Sequence, residues 1–191
     1  MKQKQFIGVS LAGLVSAVLL GTFSSGSAVG QSTINLATLR SSALSKHNTY
    51  RNTHHASTLT ASDSLSSGAQ SWANQIASSG VFEHSKTSGV GENIYATYTT
   101  ASSIDAGTLA NEAVKSWYDE VENYNYDKPG FSDNTGHFTQ VVWKGSTQVG
   151  CGAAQGTETI DGTKYNAFYV VCQYTAPGNL SGAFPANVQK P

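Results

Sequence analysis

The feature that most limits what this chain can fold into is a pair of alternating segments joined by a two-residue turn. "VGCGA" puts Val149, Cys151 and Ala153 on one face of an extended strand, and "AFYVVCQY" does the same for Phe168, Val170, Cys172 and Tyr174. Between them lies "ETIDGTK", whose Asp161-Gly162 suits a tight hairpin turn because both central residues must take positive φ. A hairpin closed there opposes Ile160 with Thr163 and, counting outward, Cys151 with Cys172. The same count puts the cysteines on a non-hydrogen-bonded pair, where Cα atoms approach to about 4.5 Å, within reach of a disulfide. A Cys151–Cys172 bridge is expected, stabilising the fold by on the order of 3 kcal/mol. A bulge at Gly152 or Gly156 would break that register.

A disulfide needs an oxidising compartment, and the first residues point to one. "MKQKQ" is basic, "FIGVSLAGLVSAVLL" is apolar and uncharged, and small residues follow in "SSGSAVG". That is the order of a secretory signal peptide, expected over residues 1–28 with cleavage after Ala28 or Gly30. Its strongly apolar part is shorter than the ~20 residues of a membrane span and is diluted by Gly13 and Ser16, so no stable membrane anchor is expected. About 160 residues then remain, enough for one domain. Losing Lys2 and Lys4 takes the formal net charge from −1 to −3, and charged residues are only 12% of the chain. Without a basic cluster, nucleic acid is excluded as a partner.

Helical periodicity marks three segments. Leu36, Leu39, Ala43, Leu44, His47 and Tyr50 share one stripe, and Leu65, Ala69, Trp72, Ala73, Ile76 and Ala77 share a second. Ser62 or Asp63 caps the second helix and Gly80 ends it. The third stripe holds Ala110, Ala113, Val114, Trp117, Tyr118 and Val121. "GENIYATYTT" reads as extended, "DNTGHFTQVVW" as a short helix or turn, and the tail from Pro177 as loop. Helices interspersed with antiparallel strands give an α+β class, a sheet covered by helices.

Polar candidates are fewer. On the third helix Glu120 and Glu122 flank the apolar stripe equally, so periodicity does not choose between them. His84 and Glu92 sit in the Gly- and Ser-rich "FEHSKTSGVGENI", where functional side chains concentrate on loops. His137 follows Gly136 and precedes an aromatic. His47 lies on the core side of its helix and reads as structural, whereas His54 and His55 read as solvated. Asn179-Leu180-Ser181 is a glycosylation sequon.

The order of "HNTYR", "EHS", "GENI", "SWYDEVENY", "GHFTQVVW", "VGCG" and "YVVCQYTAPGN" resembles the CAP superfamily, the cysteine-rich secretory, antigen 5 and pathogenesis-related-1 group. "WYDEVENYNYDKPGF" is most similar to secreted fungal members, among them yeast pathogen-related sterol-binding proteins. The chain has fewer cysteines than animal and plant members, and no cysteine-rich extension. The resemblance implies a three-layer α-β-α sandwich with a central antiparallel sheet, spanning residues 36–184. It also implies a cavity tetrad of His84, Glu92, Glu120 and His137, which selects Glu120 over Glu122. Two imidazoles and two carboxylates suit Zn²⁺ or another divalent cation in an open, weak site.

The resemblance further implies a secreted monomer that binds sterols, fatty acids or related lipids. The binding loop falls on "YNYDKPGF", where Tyr124, Tyr126 and Phe131 are expected as exposed aromatics around a Pro129-Gly130 bend. The competing reading is an extracellular hydrolase built on His84-Ser85 and the glutamates. No H-E-x-x-H or G-x-S-x-G supports it, so the chain is not expected to be an enzyme. A host or cell-wall interaction factor is a third reading that overlaps with lipid binding.

Overall fold

A computed structural model describes residues 34–191. The expected signal peptide and both cleavage positions lie outside the described residues. Helix α1 (Leu36–Thr53) leads through β1 (Thr60–Ala61) into α2 (Asp63–Ser79). Strand β2 (Gly91–Thr99), helix α3 (Ala106–Asp119), a 3₁₀ turn (Glu120–Asn123) and helix α4 (Gly136–Val141) follow. The hairpin β3 (Gln148–Ile160) and β4 (Thr163–Thr175) completes the sheet, and α5 (Phe184–Asn187) closes the chain.

The hairpin forms in the expected register. Ile160 opposes Thr163, Cys151 opposes Cys172, and Asp161 and Gly162 take φ of 49° and 78°. The two cysteines are bonded, with Cα atoms 4.2 Å apart. No bulge intervenes at Gly152 or Gly156. Two glycines of β3, Gly150 and Gly152, serve another purpose. A Cβ on Gly150 would lie 2.1 Å from Ser66 N, and one on Gly152 would lie 2.4 Å from the Gln70 backbone. Leaving the side chain off lets α2 lie directly on the strand.

The sheet order is β1-β3-β4-β2. Its three long strands are antiparallel, as expected, but β1 pairs with β3 in parallel. The chain crosses the sheet edge there for only two residues before Ser62, whose hydroxyl accepts from Leu65 N–H, starts α2. The sheet is therefore mixed.

Alternation divides the core into two layers. On one face Ala69, Ala73 and Ile76 of α2 meet Ile94, Ala154, Tyr169 and Val171. On the other, Leu39, Ala43, Leu109, Ala113 and Trp117 cover Cys151, Val170, Cys172 and Tyr174. The result is an α-β-α sandwich. No helix among the described residues is long and apolar enough to cross a membrane.

Three sequence expectations change here. The buried stripe of α1 recurs every fourth residue as Leu39, Ala43, His47 and Arg51, so it includes a cation. Arg51 is fully buried and donates to the carbonyls of Ser57, Val141, Trp143 and Ser146 at 2.8 to 3.0 Å. Burial lowers its pKa to about 10. His54, expected in solvent, is fully buried: its Nδ1 donates to Gln189 O and its Nε2 accepts from Tyr118 Oη. The reason is the tail, expected as loop, which folds back so that Phe184 stacks edge-on against Trp143 and Val188 is buried.

His47 is structural, as read. Its Nδ1 donates to Ala43 O and its Nε2 accepts from Tyr174 Oη, each at 2.7 Å. Burial holds its pKa down at about 4, against an opposing pull from the Ala43 carbonyl.

Candidate functional site

Strand β2 lies at the edge of the sheet, and two histidine–carboxylate pairs meet across it, one from each layer. From the α2 layer comes His84, on the loop that leaves α2. Its Nδ1 donates to Glu92 Oε1 at 3.1 Å. Glu92 is the second residue of β2, and Gln173 opposite it on β4 donates to its Oε2 at 3.0 Å. Ser85 N–H donates to Oε1 at 2.7 Å. Burial pushes the Glu92 carboxyl up, but the hydrogen bonds from His84, Gln173 and Ser85 together outweigh it and leave the pKa below the ordinary value.

The second pair comes from the opposite layer. Helix α3 ends at Asp119, and the tighter turn that follows brings Glu120 toward α4. Its Oε1 accepts from His137 Nδ1 at 2.7 Å, and its Oε2 accepts the backbone N–H groups of His137 and Phe138 at 2.9 and 3.1 Å. Glu120 thus satisfies the otherwise unpaired first N–H groups of α4 while orienting the histidine. Asn93 of β2 donates to His137 O at 3.1 Å. The two imidazoles face each other with ring centroids 6.3 Å apart, and Trp117 stacks at 6.4 Å from His137.

Both Nδ1 atoms are therefore occupied, which leaves each Nε2 with its lone pair. His84 is half exposed, whereas His137 Nε2 is buried and has no partner. The structure brings all four tetrad residues together, but in unequal roles. The carboxylate oxygens are taken up by hydrogen bonds, and no group of three or more His, Cys, Asp or Glu surrounds a single point among the described residues. The donor set fits a divalent cation as two imidazole nitrogens completed by solvent, with Glu92 and Glu120 orienting the rings.

The aromatic loop begins where the 3₁₀ turn ends. The expectation of three exposed aromatics holds for Phe131, which is 60% exposed. Tyr124 is instead buried, edge-on to Phe138 at 5.5 Å and to Tyr126 at 4.9 Å, and Tyr126 is half-buried. The loop is anchored by its first tyrosine because α4 presents Phe138 to it. The hydroxyls of both tyrosines are buried without partners. The Gly130 backbone approaches Tyr124 Oη without completing a hydrogen bond. Burial pushes the Tyr126 phenol up to about 12. Pro129 is half-buried at the bend. Asn179, the sequon asparagine, turns its amide inward: Nδ2 donates to Gly136 O at 2.9 Å and Oδ1 accepts from Thr139 Oγ1.

Sequence reasoning missed Asn93 and Gln173, which support the histidine pairs, and named Ser85 only for the hydrolase reading, not as a donor to Glu92. Gln173 carries the only available signal, since it interrupts an apolar run beside Cys172.

A model of the family described as CAP, the cysteine-rich secretory protein family, matches residues 44–174. The chain belongs to the CAP family. Over 149 residues it is 42% identical to protein PRY2 of Saccharomyces cerevisiae, covering 77% of this chain but only 40% of the yeast protein. It is 34% identical over 154 residues to the human Golgi-associated plant pathogenesis-related protein 1, covering 78% of this chain and 90% of the human one. Among solved CAP structures, BmVAL-1 matches with a TM-score of 0.61 at 25% identity, over 87% of this chain and 89% of the other. The structure described as NaASP2 with Zn²⁺ also gives 0.61, at 24% identity over 87% and 92%, which shows the shared CAP fold.

Proposed function

We propose that this CAP protein is a secreted, non-catalytic carrier that binds sterols or similar apolar lipids with one small polar group at the loop of Tyr124, Tyr126, Pro129 and Phe131. One observation carries the reading: an exposed phenylalanine stands on a loop whose two tyrosine hydroxyls are buried and unpartnered. Such a place offers flat apolar area to a ring system and two hydrogen-bonding oxygens to a single hydroxyl. Unsatisfied buried oxygens gain most from a ligand group that pairs with them.

The test is a binding panel of sterols and fatty acids against three proteins. Phe131→Ser and Tyr126→Phe are expected to weaken sterol binding by about tenfold each, through lost apolar contact and a lost hydrogen bond. Equal affinity in all three proteins would remove the loop from the site. Tyr124→Ser is unsuitable, because its ring is part of the core.

A second property follows from the bare Nε2 atoms. His84 and His137 are the direct ligands of a weak site for Zn²⁺ or another divalent cation, and Glu92 and Glu120 hold their rings. The cation would supply Lewis acidity and a fixed positive charge when bound. His137→Ala is expected to abolish zinc heat in calorimetry while sterol affinity persists, and an unchanged zinc titration would rule the site out. The hydrolase reading gains no geometric support, since Ser85 Oγ bonds to Thr87 Oγ1 and, among the described residues, no hydrogen bond joins it to a ring nitrogen of His84.

A further inference from the structure

Large hydrophobic side chains rarely stand in solvent without a reason when they cluster. Among the described residues Val81, Phe131 and Leu180 do so, at 53%, 60% and 53% exposure. Val81 stands alone beyond the end of α2. The segments that carry the other two converge on Gly136. A Cβ on Gly136 would lie 3.0 Å from Phe131 Cε2, so the edge of that ring rests on the first residue of α4. The chain that carries Leu180 is tied to the same residue by the bond from Asn179 Nδ2 to Gly136 O. Asn179 takes a φ of 60°, and both ends of its amide are bound to α4. Leu180 is thereby exposed on a frame fixed to α4, next in the chain to the residue that bonds Gly136, on which the Phe131 ring rests.

Charge narrows the partner. From Tyr165 to Gln189 the chain has no Asp, Glu, Lys, Arg or His, so the Leu180 loop enters an apolar boundary without desolvating a charge. The Phe131 segment carries Asp127, Lys128 and Asp133, and Lys190 from the tail pairs with Asp127 at 3.5 Å, so the charges there balance. A balanced surface differs from the lysine-rich one that recognises anionic lipid.

We propose that Phe131 and Leu180 form a docking surface for the zwitterionic face of a lipid bilayer, a step that rests on the sterol reading because such ligands reside in membranes rather than in water. The two side chains dip into the headgroup boundary, and the aromatic loop beside them receives its ligand without a transfer through solvent. Two side chains give weak, reversible contact, which suits a carrier.

The test uses flotation of the protein with sterol-free phosphatidylcholine vesicles. Wild-type protein is expected to float, and Leu180→Asp to lower its partitioning about tenfold. The same variant should slow sterol uptake from vesicles while binding detergent-solubilised sterol as tightly as wild type. Its folding is checked by thermal melting, which an exposed position leaves unchanged. Wild-type protein that does not float, equal flotation of both proteins, or flotation that requires phosphatidylserine would overturn the proposal. So would a dimer broken by Leu180→Asp in sedimentation without vesicle binding, which would assign the patch to a second copy of the chain. Flotation of a protein that binds no solubilised sterol upholds the docking surface and overturns the sterol reading alone.

Discussion

The two ends of the sandwich obey different rules. Where α2 meets the sheet, Gly150 and Gly152 bring the helix backbone into contact with the strand. Gln70 exchanges both of its amide bonds with Ala153, so polar groups there are paired. Of the four buried polar atoms that lack partners among the described residues, three lie around β2 and the aromatic loop: Tyr124 Oη, Tyr126 Oη and His137 Nε2. A region that leaves polar atoms unpaired is less stable than an apolar substitute would be, and it keeps bonding capacity for something from outside. The first region is scaffold and the second is the place to look for ligands.

The largest expected effect falls on the scaffold. Gly150→Ala forces a methyl into the α2 backbone and should lower stability by more than about 3 kcal/mol in urea unfolding. A loss below about 1 kcal/mol would mean that α2 retreats easily and the contrast between the two regions is false.

Acid comes next. His47 is held near pKa 4 in the fold against 6.5 for the free side chain, so the unfolded chain binds the proton first. Stability is full above pH 6.5, falls as pH drops through 6.5 to 4, and should lose about 3 kcal/mol over that window. His54, also lowered by burial, acts in the same direction. His47→Gln should flatten the upper part of the curve in denaturation measured at several pH values.

Reducing the Cys151–Cys172 bridge should cost about 2 to 3 kcal/mol by freeing the unfolded chain. Sterol affinity of the molecules that stay folded should not change, since the bridge lies in the core and not at the loop. A coupled loss of affinity would join the two regions that the structure separates.

The smallest stability change is expected at the rim. Tyr126→Phe removes a hydroxyl that has no partner, so the midpoint should stay within about 0.5 kcal/mol of wild type or rise slightly. A loss of more than about 1 kcal/mol would show that the hydroxyl is bonded in solution and the rim is already satisfied.

Much of the fold was legible in the sequence. The Asp161-Gly162 turn set the register that joins Cys151 to Cys172, and the caps at Ser62 and Gly80 bounded α2. Periodicity located the helices because burial of one face follows from spacing. The tetrad was legible only through family resemblance. Spacing alone left Glu120 and Glu122 equal, and the structure separates them by ending α3 at Asp119, so that the following turn aims Glu120 at the start of α4.

Local rules could not reach contacts made by distant segments. Arg51 sits on the buried stripe of α1 because four carbonyls, from the loop after α1, the end of α4 and the loop after it, converge there, and hydropathy excludes a cation from any core. His54 was assigned to solvent because the tail that covers it lies far along the chain. Tyr124 was read as exposed for the same reason, since its partner Phe138 belongs to another element.

By itself the sequence determined the elements, the hairpin register, the disulfide and the separation of the two faces of the sheet, because each depends on neighbours a few residues apart or on strict alternation. Only the tertiary structure decided which carboxylate orients which histidine, which aromatics stay outside, and that the segments carrying Leu180 and Phe131 converge on Gly136. Those depend on where whole elements come to rest against each other, and no local pattern encodes that.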